Sequence, residues 1–271
     1  MSTYFTIEEK NWESTFFAKK WGLLTYTGDD LIINNSLNIL REDLIIILKE
    51  ADKRYDLIEI SISTSHLFLI MLLEDFKFRL VDSRIIFKTL FNIQRIAQQK
   101  LFLSSSEVNI SMYDKKDLND IIKLTHNNLT KNPDFISRFK NLYYFKSNDA
   151  ERYYEAYLKN SIDNKNSFCC VLTDTYNKVK GYFIYEERGK FNNVPMYKGI
   201  LTVVEKDLRG QAIHLSLQYF LFSKLKASEY YIDNTTQLSN LPVIKNHIKS
   251  QRDLEKILLI FFRKNENQLH Q

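Results

Sequence analysis

The run Thr202-Val203-Val204-Glu205-Lys206-Asp207-Leu208-Arg209-Gly210-Gln211-Ala212-Ile213 passes from a β-rich stretch through a charged loop into an apolar-periodic segment that continues with His214. The start of a helix leaves four backbone N–H groups free and carries the positive end of the helix dipole. A strand that stops just before one therefore builds a site for anionic oxygens from backbone alone, and a pyrophosphate suits it. A second helix start is marked by Asn240-Leu241-Pro242, since an Asn side chain can accept from an exposed N–H and Pro suits the first turn. Arg138, Tyr143, Tyr144, Tyr153 and Tyr157 fall within one further stretch. Arg forks fit phosphate, and Tyr rings stack on sugars or bases while their hydroxyls pair with polar edges. The alternative for these tyrosines is an amphipathic helix packed on a sheet.

The elements that must position these residues are read from apolar spacing. Leu40, Leu44, Ile47, Leu48 and Ala51 predict a helix from about 39 to 54, and Ile58, Ile60 and Ile62, alternating with polar residues, predict a strand over 57–63. A strand near 23–27, a helix over 65–76 and a long strand over 78–88 complete a small α/β unit. Residues 91–106 read as a connector, with Leu103-Ser-Ser-Ser-Glu107 the best boundary. A strand at 108–112 follows, then a helix capped near Asp114 or Asp117. Strands at 167–173, 179–187 and 196–204 come next, with Asn177-Lys178 as a hairpin turn between the first two. The chain ends with a helix from 210 to about 226, a strand over 230–235, a helix over 242–249 and a strand over 256–263.

With 271 residues, 44% apolar and 14% aromatic, the chain can bury a large core as one big domain or two small ones. Six Gly and three Pro are too few for a turn-rich β-sandwich and suit alternating strands and helices. The fold class expected is α/β, in two domains. The net charge of +5 is spread without a long Lys or Arg run, so no nucleic-acid partner is expected. The two cysteines, Cys169 and Cys170, are neighbours on an expected strand, point to opposite faces and cannot simply pair. The N-terminus lacks the basic-then-apolar plan of a signal peptide. No apolar run approaches the ~20 residues of a membrane helix, so no membrane partner is expected and the localisation expected is cytoplasmic.

Arg209-Gly-Gln-Ala-Ile-His214 resembles the acyl-CoA loop of the GCN5-related N-acetyltransferases (GNAT), usually written Q/R-x-x-G-x-G/A. It keeps the leading Arg and its Gly neighbour, with Ala212 in place of the middle Gly and His214 in place of the last small residue. Ala212 permits close approach of phosphates if its backbone is helical and fails if the site needs positive φ. Thr236-Gln-Leu-Ser-Asn240-Leu-Pro-Val-Ile-Lys-Asn-His247 is similar to the family's segment after its fifth strand. The resemblance implies that Asn240 caps a helix beside the coenzyme. It also puts His247 where the family commonly carries a general-acid Tyr, and a His of near-neutral pKa can protonate a departing thiolate.

Across nearly the whole chain the sequence resembles the TDP-fucosamine acetyltransferase branch. Asn11-Trp-Glu-Ser-Thr-Phe-Phe17 is similar to its "W-E-x-x-F-F" opening. Ser137-Arg-Phe139, Tyr143-Tyr144 and Arg152-Tyr-Tyr-Glu-Ala-Tyr157 are similar to its substrate-side helix and loop, and Ile248 to Arg263 to its closing strand. The resemblance implies a GNAT domain, 106–271, with a central mixed sheet flanked by helices, preceded by a small α/β domain, 1–105. It implies direct transfer of an acetyl group from acetyl-CoA to the amine of a nucleotide-linked amino-dideoxysugar, for surface polysaccharide.

Backbone of Thr202-Val203-Val204 would pair with the pantetheine arm, and one N–H would polarise the thioester. Arg209, Gly210, Gln211 and Ala212, with Ile213 and His214 behind them, would hold the pyrophosphate. Glu186 and Glu187 could take the amine's proton. Asp29-Asp30 and His66 have no metal-ligand spacing and no metal is expected. The N-terminal unit is left to shape the sugar side of the site or a homodimer contact. Another small amine or a peptide as acceptor, or a scaffold that has lost the coenzyme, are the competing readings.

Overall fold

The computed structural model describes residues 4–28, 37–92, 109–209, 213–225 and 228–265. The boundary expected at 103–107, Asp29-Asp30, and Gly210, Gln211 and Ala212 lie outside the described residues. The chain divides into two compact units, the first made of 1–85, 141–145 and 256–271, the second of 86–140 and 146–255.

The first unit begins with β1 (Phe5–Glu9), α1 (Asn11–Phe17), β2 (Trp21–Tyr26) and α2 (Leu37–Ala51). It continues with β3 (Leu57–Ser63), α3 (Leu67–Asp75) and the start of β4 (Arg79–Asn92), and it takes in most of β10 (Leu254–Lys264). β1 runs antiparallel to β2, β2 parallel to β3, and β10 antiparallel to β3 from Leu258↔Ser63 to Lys264↔Leu57. The spacing that predicts α2 buries Leu40, Leu44, Leu48 and Ala51 against Ile58, Ile60 and Phe261. β3 differs from the half-buried alternation expected: Glu59 on its other face is buried too, where Lys10 Nζ donates to it at 3.0 Å. That ion pair answers the charge that the polar position would otherwise leave stranded. β1 and α1 were not predicted. The latter is only seven residues long, and its Phe17 packs on Trp21 and on Phe145, with centroids 5.5 and 4.9 Å away.

In the second unit, β5 (Asn109–Met112), α4 (Leu118–Thr125), α5 (Asp149–Asp163), β6 (Ser167–Thr173), β7 (Val179–Phe191) and β8 (Val194–Val204) precede α6 (Ile213–Phe222). β9 (Glu229–Gln237) and α7 (Leu241–Lys249) follow. Its strands lie in the order β4-β9-β8-β7-β6-β5; β5 to β8 are antiparallel, and β8 and β9 are parallel. The fold class expected is therefore the one found, a large mixed sheet flanked by helices. A capping box of Asp114 and Asp117 opens the turn that leads into α4. Asn177, at φ 59°, makes the β6–β7 turn, with Asp174 Oδ1 accepting from Tyr176 and Lys178 N–H.

Strand alternation places Cys169 in the core under α4 and α5 and Cys170 in the core under α6. Both are free, and burial raises both thiols, Cys169 to about 12. Among the described residues no helix is long and apolar enough to cross a membrane.

Candidate active site

β8 is held on one side by β7 along its length and on the other by β9 only from Met196↔Tyr231 to Gly199↔Asn234. Beyond Gly199, β8 runs on to Val204 and β9 to Gln237, with no pairing between them. The β7–β8 register shifts at the same point: Ile184 faces Leu201 and Tyr185 faces Gly199, which leaves Ile200 as the extra residue of a bulge. A bulge bends its strand and raises the local twist, which suits two neighbours parting company there.

Gly199 is required by what lies beside it. A Cβ there would fall on Asn234 Oδ1, the atom that accepts the Tyr185 hydroxyl at 3.1 Å. Past the bulge, Ile200–Val204 make no ladder pairs with β9, and an unpaired strand edge is one to which an extended segment can add by backbone hydrogen bonds. The stretch expected to do this, Thr202-Val203-Val204, is on that edge.

After Val204 the chain makes a short 3₁₀ turn, Lys206–Leu208, and reaches Arg209. Its guanidinium donates to Val204 O at 3.1 Å and to Asn128 Oδ1 at 2.7 Å. Asn128 belongs to a π-helical turn, His126–Thr130, that prolongs α4. Such turns break the regular ladder and often mark functional sites. Arg209 is thus held at the mouth of the split by two neutral acceptors, neither of which cancels its charge. Ile213 and His214 follow at the start of α6, Ile213 in the core.

Asn240 stands at the N-cap of α7 with Pro242 in the first turn, but its side chain makes no capping bond. Its carbonyl accepts from Val243 and Ile244 N–H instead. His247, further along the same helix, is 2% exposed, with its ring 4.7 Å from Phe87 and 5.9 Å from His214. Burial, reinforced by the Arg252 charge and His214, lowers its pKa to about 2; burial and Arg252 lower His214 to about 4. Both imidazoles are uncharged at neutral pH, so neither is the near-neutral acid that the substitution of His for Tyr suggests. Among the described residues, the Nδ1 atoms of both rings and both side-chain polar atoms of fully buried Gln218 have no hydrogen-bond partner.

Glu186 and Glu187 pair across from Lys198 and Tyr197, on the closed side of the split. The Glu186 carboxylate is occupied by Asn164 Nδ2 at 2.9 Å and Arg188 Nη2 at 2.8 Å. Arg138, Tyr153 and Tyr157 do come together: Tyr153 stacks on Phe139 at 3.9 Å and on Tyr157 at 5.9 Å, and the Arg138 guanidinium lies 4.9 Å over Phe139. Tyr143 and Tyr144 belong to the other unit. Among the described residues no group of three or more His, Cys, Asp or Glu could hold a metal ion.

Sequence reasoning missed Gly199, Asn234 and Asn128. A lone Gly inside a strand pattern, Lys198-Gly199-Ile200, is a bulge signal that was available. Asn234 and Asn128 carry no local signal of their own.

No family model matches the sequence, and no curated protein matches it. Solved structures do. A GCN5-related N-acetyltransferase from Sphaerobacter thermophilus superposes with a TM-score of 0.53 at 9% identity, over 97% of this chain and 77% of that one. A tandem GNAT protein from the clavulanic acid biosynthesis pathway gives 0.55 at 7% identity, over 90% of this chain and 75% of that one. The fold is that of the GNAT proteins. A conserved protein of unknown function from Staphylococcus epidermidis ATCC 12228 is similar as well, with a TM-score of 0.58 at 9% identity over 92% of this chain and 86% of that chain. At such identities the likeness to GNAT proteins is one of fold.

Proposed function

We propose that the chain is an acyl-CoA-dependent N-acyltransferase acting on the amine of a nucleotide-linked amino-dideoxysugar, in the synthesis of surface polysaccharide. The observation that carries the acyl-transfer part is the parting of β8 and β9 at the Gly199–Ile200 bulge. It frees strand backbone for a pantetheine arm, with Arg209 and the start of α6 beyond it for the pyrophosphate. The acceptor rests on the resemblance in 11–17 and 137–157 and on the clustering of Arg138, Tyr153 and Tyr157. Acyl-CoA supplies an activated thioester. The chain's part is to hold it extended, to point an N–H of the bulged strand at its carbonyl, and to bring a neutral amine within reach.

The proton balance needs no external acid, since the amine loses one proton and the departing thiolate gains one. A neutral His247 can serve only as a relay, accepting one proton as it gives another. Its burial favours a second reading, a GNAT-fold protein that binds the coenzyme without turnover.

Calorimetric titration with acetyl-CoA, followed by a thiol-release assay with TDP-4-amino-4,6-dideoxyhexoses, tests both. Binding with release is expected. Binding without release for any amine favours the second reading, and no binding overturns both.

A further inference from the structure

A cavity of about 450 Å³ opens on the first unit, a size suited to a small ligand. Phe78 and Tyr144, 3% and 4% exposed, contribute its buried lining, and the Tyr144 hydroxyl donates to Phe262 O at 3.4 Å. Tyr143, 45% exposed, also lines it. Around these stand three cations, Lys77, Arg79 and Lys264, and one carboxylate, Glu74. The Arg79 guanidinium lies 4.8 Å and the Lys264 ammonium 5.3 Å from the centre of the Tyr143 ring. Neither makes an ion pair with a carboxylate among the described residues.

Two like charges drawn to one ring repel each other, and a surface arginine or lysine more often swings to a carboxylate. Here the ring orients both through cation–π contact, which reduces the entropy lost when they close on an anion. A guanidinium fork beside an ammonium is the donor set that matches phosphate oxygens. We propose that this cavity binds a small phosphate-bearing ligand, of the size of pyrophosphate or a nucleoside diphosphate. The inference goes beyond the acyl-transfer reading and stands whether or not the second unit binds acyl-CoA.

The test is calorimetric titration of the full chain with inorganic phosphate, inorganic pyrophosphate and UDP, at two salt concentrations. Saturable binding of pyrophosphate is expected, weakened at least tenfold in the Arg79→Gln/Lys264→Gln variant and severalfold in Tyr143→Leu, and unchanged in Lys53→Gln. Tyr143→Leu leaves the charge untouched, so its effect separates a built site from diffuse attraction. Tighter binding of UDP than of pyrophosphate would identify a nucleotide as the ligand, and equal binding a phosphate group alone. Retention of acetyl-CoA affinity in the double variant would separate this site from the coenzyme's. Absence of saturable binding, equal weakening in Lys53→Gln, or wild-type affinity in the double variant would overturn the proposal.

Discussion

A methyl group on Gly199 has nowhere to go but onto Asn234 Oδ1, so Gly199→Ala must push the β9 side chain off the Tyr185 hydroxyl. Overpacking of this kind costs about 1 to 3 kcal/mol, and it acts where β8 and β9 separate. A lower denaturant midpoint together with weaker acetyl-CoA binding is expected; a variant equal to wild type in both would remove Gly199 from the site. His247 makes a prediction of opposite character. Its folded pKa, about 2, lies below its ordinary 6.5, so the unfolded chain takes up a proton that the native chain refuses. Stability from this group is complete above pH 6.5 and falls as the pH drops below it, by up to about 1.4 kcal/mol per pH unit. His214, lowered to about 4, adds to the slope above that pH. Urea midpoints between pH 7.5 and 4.5 should fall with acid, less steeply in His247→Leu, and a pH-independent midpoint would contradict the buried neutral state. At this scale His247 shows what spacing omits: position along a helix says nothing of how dry the surroundings are.

At the scale of elements, the free edge of β8 should behave as an unfinished sheet. Acetyl-CoA is expected to slow amide hydrogen exchange at Ile200–Val204, while Met196–Gly199, already paired with β9, changes little. Uniform protection of the strand, or none, would count against an extended ligand there. The π-turn beside it gives a graded test. Asn128→Ala removes one of the two acceptors that hold Arg209 and should raise the KM for acetyl-CoA a few-fold with kcat nearly unchanged, whereas Arg209→Ala should raise it tenfold or more. Most of these elements were readable because periodicity is local: Leu40, Leu44 and Leu48 share a helix face whatever surrounds them. β1 and α1 were too short to show a period, and the π-turn leaves none.

For the whole molecule, chain order and compact units do not coincide. β10 lies at the end of the sequence but pairs with β3 in the first unit, and 141–145 falls between two stretches of the second. Deleting residues 254–271 should therefore expose β3 and unfold the first unit, seen as early proteolysis within residues 4–85. A fragment 1–105 made alone should be unfolded by circular dichroism, and a stable, cooperatively folding fragment would refute this. The sequence by itself determined the fold class, the order of the strands from β2 to β10, the opposite faces of Cys169 and Cys170, and the loop that leads to Arg209, because each follows from contacts a few residues apart. Only the tertiary structure decided where β8 and β9 part, that Glu186 is already bound, that His247 is dry, and that Tyr143 gathers two cations. Those depend on which distant segments meet, and no local period records that.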